Sequence, residues 1–128
     1  MGRLDGKVAV ITGCASGMGL AAAELFLKEG ASVMATGRHI ENLTEALGEL
    51  ANHNEKLQLR KLDAMIEEDW IAVLKETEEI FGKIDVLVNN AGVSVHNDVV
   101  TETLEGWHQG VDNNLTATWL GIKQFMAN

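Results

Sequence analysis

The run Thr12-Gly13-Cys14-Ala15-Ser16-Gly17-Met18-Gly19 lies between an apolar stretch, Val8 to Ile11, and a segment of helical spacing. Glycines between a strand and a helix suit one chemical task. They present backbone N–H groups to a phosphate with no side chain in the way, at the positive end of a helix. In that role Gly13 permits a tight turn, Gly17 a close approach of backbone to ligand, and Gly19 close packing of helix on strand. Ser16 and Met18 complete the loop, and the fitting ligand is the pyrophosphate of a dinucleotide. A glycine-rich turn without a ligand would carry the same glycines, so the assignment depends on what else the chain holds.

The end of the second apolar stretch, Ala35-Thr36-Gly37-Arg38, would face the adenosine ribose. An acidic side chain there accepts a hydrogen bond from the 2′-hydroxyl and repels a 2′-phosphate, whereas an arginine does the reverse. Gly37 stands at the acidic position and Arg38 follows it. The expected cofactor is therefore NADP(H), with NAD(H) left open because Arg38 has an alternative as a solvated residue before a helix. Cys14, near a helix N-terminus, invites a redox role, but a small side chain filling the loop is the expected one. His39, His53, His96 and His108 show no paired ligand spacing, so no metal site is expected. All four, His96 included, read as surface or loop histidines. Trp70, Trp107 and Trp119 read as packing or interface residues, and Glu76, Glu78 and Glu79 as a solvated helix face.

The elements that must hold these residues alternate. Strands are expected over Val8 to Ile11, Ser32 to Ala35, Leu57 to Leu62 and Ile84 to Val88. Helices are expected over Gly19 to Glu29, Ile40 to Leu50, Glu67 to Phe81, and from about Leu104 to the end. Ile40, Leu43, Leu47 and Leu50 mark one buried face, and Glu67, Glu68 and Asp69 suit the positive end of a helix dipole. Alternation of this kind indicates βαβ crossovers and a parallel sheet.

Composition narrows the classes further. The chain has 128 residues, a net charge of −9 and a single cysteine. One domain over residues 1–128 is expected, with no disulfide framework. The acidic balance speaks against nucleic acid and anionic membrane surfaces as partners. No stretch has the length of a membrane span and no signal peptide precedes the first strand, so a cytoplasmic location is expected.

Three further motifs fall in order. Asp63-Ala64 follows the third strand, Asn89-Asn90-Ala91-Gly92 the fourth, and Asn114-Leu115-Thr116 lies in the last helix. With the Thr-Gly-x-x-x-Gly-x-Gly spacing, this set resembles the short-chain dehydrogenase/reductase family across the whole chain. The resemblance implies a Rossmann-like three-layer βαβ sandwich with a parallel sheet of about four strands in the order 3-2-1-4, incomplete against the family. It implies that Asp63 meets the adenine, that Asn90, Ala91 and Gly92 line the cofactor site, and that Asn114 anchors a proton-relay water. The family's reaction is hydride transfer between nicotinamide and a carbinol or carbonyl carbon, carried by Asn, Ser, Tyr and Lys. The chain contains no tyrosine, so only Asn114 is matched, and the resemblance implies that it stops before the Ser and the Tyr-x-x-x-Lys.

The expected function is accordingly the NADP(H)-binding part of a short-chain alcohol/carbonyl oxidoreductase, inactive as 128 residues. The alternatives are a naturally short dinucleotide-binding or sensing module and a vestigial gene product. Without a fifth strand the fourth becomes an exposed apolar edge. The last helix, bearing Trp107, Leu115, Trp119, Ile122, Phe125 and Met126, resembles one that many relatives use for dimerisation. A homo-oligomer is expected through either surface.

Overall fold

In the computed structural model, which describes residues 2–127, the strands are β1 (Val8–Ile11), β2 (Ser32–Gly37), β3 (Leu57–Lys61) and β4 (Val86–Val88). They pair in parallel in the order β3-β2-β1-β4. The helices are α1 (Gly17–Lys28), α2 (Ile40–Asn52), α3 (Glu67–Phe81), α4 (Leu104–Val111) and α5 (Ala117–Ala127), the last two joined by a π-helical turn over Asp112–Thr116. The architecture is the expected α/β sandwich, in the expected strand order.

Strand alternation explains the three layers, because successive side chains point to opposite faces. Ala9, Ile11, Val33 and Ala35 form one core with Ala23 of α1 and Leu43 and Leu47 of α2. Val10 and Met34 face the other way, against Trp70, Val73 and Leu74 of α3 and Leu120 of α5. β1 is therefore buried along its whole length, as a strand covered on both faces must be. β4 is only half-buried, because β1 is its one partner among the described strands.

Local chemistry sets the element ends. Gly30 (φ +93°) and Gly82 (φ +86°) adopt the left-handed conformation just past α1 and α3, where glycine terminates a helix at little steric cost. Three acidic residues occupy the first turn of α3. The buried stripe of α2 is shorter than its spacing suggests. Leu43 and Leu47 are buried, but Ile40 is 36% and Leu50 39% exposed, so burial is confined to the helix middle.

Two expectations need correction. The Glu76, Glu78, Glu79 face is not uniformly solvated: Glu76 accepts a 2.7 Å charge-assisted hydrogen bond from Arg60 on β3. The last helical segment is not one α-helix either. At Asp112–Thr116 it widens into a π turn, and side chains occupy nearby carbonyls. Asn113 Nδ2 donates to Gln109 O at 2.8 Å, Asn114 Nδ2 to Gly110 O at 2.7 Å, and Thr118 Oγ1 to Asn114 O at 2.7 Å. Polar side chains that bond backbone three or four residues back compete with the regular ladder, and here they do so together. No helix of the described residues is long and apolar enough to cross a membrane.

Candidate functional site

In open parallel sheets the ligand crevice lies beyond the carboxyl ends of the strands, where the strand order reverses. Here that point falls between β1 and β4, which lie side by side although β2 and β3 separate them in sequence. A cleft of about 380 Å³ opens there, lined among others by Gly13, Ser16, Gly17, Met18, Arg38 and Asp63.

The cleft floor is the glycine loop. Gly13 (φ +68°) and Gly17 (φ +58°) both require the left-handed region. A Cβ on Gly13 would lie 2.8 Å from Asn90 Nδ2, and one on Gly19 would meet the Gly13 carbonyl. Ser16 caps α1 in an extended conformation, but its side chain accepts no capping hydrogen bond, and the first turn carries no acidic residue. The leading N–H groups of α1 thus face the cleft with neither a side-chain cap nor a carboxylate to satisfy them. Such a terminus suits an anion.

One threonine fastens the loop to the far side of the cleft. Thr12 is 1% exposed. Its Oγ1 accepts hydrogen bonds from Asn90 N at 3.0 Å and Ala91 N at 2.9 Å and donates to Val88 O at 3.4 Å. Asn90 Nδ2 returns two donations, to Thr12 O and Gly13 O, each at 3.1 Å. The Asn-Asn-Ala-Gly segment and the glycine loop are therefore one hydrogen-bonded unit spanning β1 and β4.

Cys14 belongs to the support of that unit and not to its chemistry. It is fully buried, with its Sγ 3.2 Å from Ile11 O and its N–H donated to Thr36 O at 2.9 Å. Burial pushes the thiol up to about 12, against a smaller opposing effect of the backbone hydrogen bond with Thr36. A thiol held protonated and out of solvent is inert.

The Asp63–Ala64 end of the cleft is held by α3. Asp69 Oδ2 accepts the Asp63 N–H at 2.9 Å, Asp63 Oδ1 accepts the Met65 N–H at 3.0 Å, and Trp70 Nε1 donates to Ala64 O at 2.9 Å. Arg38 and His39 are exposed in the same cleft, after the neighbouring strand end where Leu62 N donates to Gly37 O at 2.9 Å. No ion pair of the described residues uses Arg38.

Asn114 sits elsewhere. Its Oδ1 accepts the Val93 N–H at 3.0 Å and its Nδ2 donates to Val93 O at 2.9 Å, so the side chain pairs with one residue through both ends. It lines a second cavity of about 400 Å³ with Val93, Val95, Val99, Trp107 and Val111. His96 does not line either cavity.

The structure thus gathers at one cleft Gly13, Ser16, Gly17, Met18, Arg38, Asp63, Ala64, Asn90, Ala91 and Gly92. Gly19 and Gly37 stand behind it as packing positions, Gly37 against Leu43. Sequence reasoning missed His39, Leu62, Met65, Val93 and Asn113, which also line the cleft. Each is at most one residue from a motif position, and that proximity was the only available signal.

The profile of the short chain dehydrogenase family matches residues 7–128. The chain belongs to the short chain dehydrogenase family. It is 37% identical over 121 residues to an NADP-dependent (R)-specific alcohol dehydrogenase of Lentilactobacillus kefiri, covering 94% of this chain and 48% of that protein. It is 35% identical over 127 residues to a 3-beta-hydroxysteroid dehydrogenase of Comamonas testosteroni, covering 98% and 48%. The crystal structure of a short chain dehydrogenase from Mycobacterium smegmatis superposes with a TM-score of 0.93 at 32% identity, over 99% of this chain and 54% of that one. This short chain dehydrogenase chain therefore spans about half the length of the relatives it matches, and its fold is the NAD(P)-binding Rossmann fold of the family.

Proposed function

We propose that this chain is the NADP(H)-binding part of a short-chain alcohol/carbonyl oxidoreductase, one domain over residues 1–128. The observation that carries the choice of dinucleotide is the lip of the cleft. Arg38 lines it free of any ion pair among the described residues, beside a Gly37 that offers no carboxylate. The name of the L. kefiri relative, an NADP-dependent alcohol dehydrogenase, supports the same reading.

In this reading the N–H groups of Gly17, Met18 and Gly19 hold the pyrophosphate, with Gly13 and Ser16 shaping its seat. Arg38 pairs with the 2′-phosphate, Asp63 and Ala64 border the adenine, and Asn90, Ala91 and Gly92 line the path toward the nicotinamide. When bound, the nicotinamide supplies hydride transfer. What these residues contribute is binding and orientation. Asn114 is the one candidate for the catalytic set, and because it bonds Val93 at both ends its contribution is to fix the loop after Gly92. With no tyrosine in the sequence, we expect dinucleotide binding without turnover from these 128 residues.

The test is Arg38→Asp. Reversing a charge next to a phosphate removes a charge-assisted hydrogen bond, worth about 1.5–3 kcal/mol, or roughly 10- to 150-fold. NADPH affinity by nucleotide fluorescence should fall by that factor while NADH affinity stays level or rises. Unchanged NADPH affinity would sink the assignment.

The chain is further proposed to self-associate. Trp107 is 61%, Leu115 69%, Trp119 56% and Met126 75% exposed on one helical segment, and the open edge of β4 is apolar. Sedimentation across a concentration series should show a mass above 13.9 kDa, and a clean monomer throughout would count against both surfaces.

A further inference from the structure

Met18 is the second residue of α1 and lines the dinucleotide cleft. Packing gives no reason for a methionine there, since the residue is 81% exposed. Each Cα–Cβ bond of a helix tilts toward its N-terminus. The thioether is therefore carried at the end of α1 whose N–H groups have neither a side-chain cap nor a carboxylate.

The other sulfurs of the described residues are placed differently. Cys14, in the same loop, is fully buried and held as a thiol, whereas the thiolate is the form that reacts. Met34 is fully buried against α3. Met65 lines the cleft but is half-buried. Met126 is 75% exposed, but it lies near the end of α5 and outside the cleft lining. Met18 alone among them is both open to solvent and part of the cleft.

We infer that Met18 is an oxidation site whose sulfoxide weakens dinucleotide binding. The inference rests on the dinucleotide reading of the cleft and not on the choice between NADP(H) and NAD(H). With a peroxide as oxidant, the sulfur attacks one peroxide oxygen, and an S–O bond forms as the O–O bond breaks. Sulfur gives up two electrons, and the departing hydroxide takes the proton of the transferred oxygen and leaves as water. Reduction by a sulfoxide reductase reverses the step, two thiols becoming a disulfide and the oxygen leaving as water. A thioether is a weak acceptor, whereas a sulfoxide oxygen carries partial negative charge and accepts hydrogen bonds well. At an uncapped helix N-terminus that oxygen takes N–H groups for itself, as a capping side chain does. The pyrophosphate then meets fewer free donors and a like partial charge. Removing one charge-assisted hydrogen bond corresponds to about tenfold in affinity.

The experiment treats the full chain with hydrogen peroxide, removes the peroxide, and locates oxidised methionines by peptide mass spectrometry, for wild type, M18L and M126L. NADPH and NADH affinities are then read by nucleotide fluorescence, each variant against its own untreated sample. Met18 should gain one oxygen, and treated wild type and M126L should bind both dinucleotides about tenfold more weakly. Treated M18L should bind as it did before treatment. A methionine sulfoxide reductase with dithiothreitol should restore the wild type. The inference is overturned if Met18 stays reduced while Met126 is oxidised, if affinity survives oxidation of Met18, or if M18L loses as much as wild type. A loss confined to NADPH also overturns it, since both dinucleotides share the pyrophosphate. So does a treated wild type that circular dichroism shows unfolded, because the loss then belongs to the fold. If the untreated chain binds neither dinucleotide, the dinucleotide reading itself falls and takes this one with it.

Discussion

Replacing Thr12 by valine keeps the shape of a buried side chain and removes a single oxygen. That oxygen accepts the N–H groups of Asn90 and Ala91. Asn90 N has a second acceptor, Val88 O at 3.1 Å, so it loses half of a shared bond. Ala91 N loses its acceptor outright. An unsatisfied N–H costs about 1–3 kcal/mol when buried, and Ala91 is half-buried, so Thr12→Val should cost about 2 kcal/mol. For a chain of this size that lowers the melting temperature by about 7 °C. Thr12→Ser keeps the oxygen and loses one methyl, worth about 0.8 kcal/mol. Urea unfolding followed by tryptophan fluorescence measures both. The reasoning is refuted if Thr12→Val costs less than about 0.5 kcal/mol, or if the serine variant loses as much as the valine variant.

Gly19→Ala would drive a Cβ into the Gly13 carbonyl and to 2.5 Å from Asn90 Nδ2, so we expect a loss of about 3 kcal/mol or more in the same urea experiment. Gly17→Ala meets open space but must hold φ at +58°, and should cost only about 1–2 kcal/mol. Cys14 should resist alkylation at neutral pH until the chain unfolds, which mass spectrometry reads directly. Because its thiol is raised to about 12 in the fold from 9.0, the unfolded chain ionises first. Stability should therefore be untouched below about pH 9 and decline as pH rises from there toward 12; a Cys14→Ala variant should lose that alkaline slope. Glu67 is held below its ordinary 4.5, first by the hydrogen bond from Lys123 and then by that from Gln124. Asp85 is held below 3.8 by Lys83 and by the Val8 N–H. The stability they add is present above those values and is lost as pH falls through the depressed ones. The urea midpoint of an E67Q/D85N double variant should fall less steeply than wild type below about pH 4.

Much of the fold was legible because its signals are local. The buried run Val8 to Ile11, the glycines after α1 and α3, and the acidic first turn of α3 each act within a few residues. The cleft was legible for the same reason, since each of its walls is a short motif at a strand end. What stayed hidden depends on contacts between distant segments. Nothing near Glu76 announces Arg60, which reaches it from β3. Nor does helical periodicity announce the pairing of Asn114 with Val93, 21 residues away. The apolar spacing of α2 overstated its buried face, because periodicity marks which side of a helix is apolar and not how far along it the burial extends, and Ile40 and Leu50 at its two ends are exposed.

The pairing of β1 with β4 has a consequence for how the cleft comes into being. β1 meets β2 at a separation of 24 residues, Val8 against Ser32, but the bond from Val8 N to Asp85 closes 77 residues. Loop-closure entropy makes the longer closure about 1 kcal/mol more costly before any contact compensates it, and β4, paired with β1 alone among the described strands, is expected to be among the first strands to exchange its amide protons. The cleft lies across that seam. A nucleotide held by the glycine loop on one side and by Asn90 to Gly92 on the other would bind only the closed sheet, and would slow hydrogen exchange at Val86 to Val88 more than anywhere else in the chain.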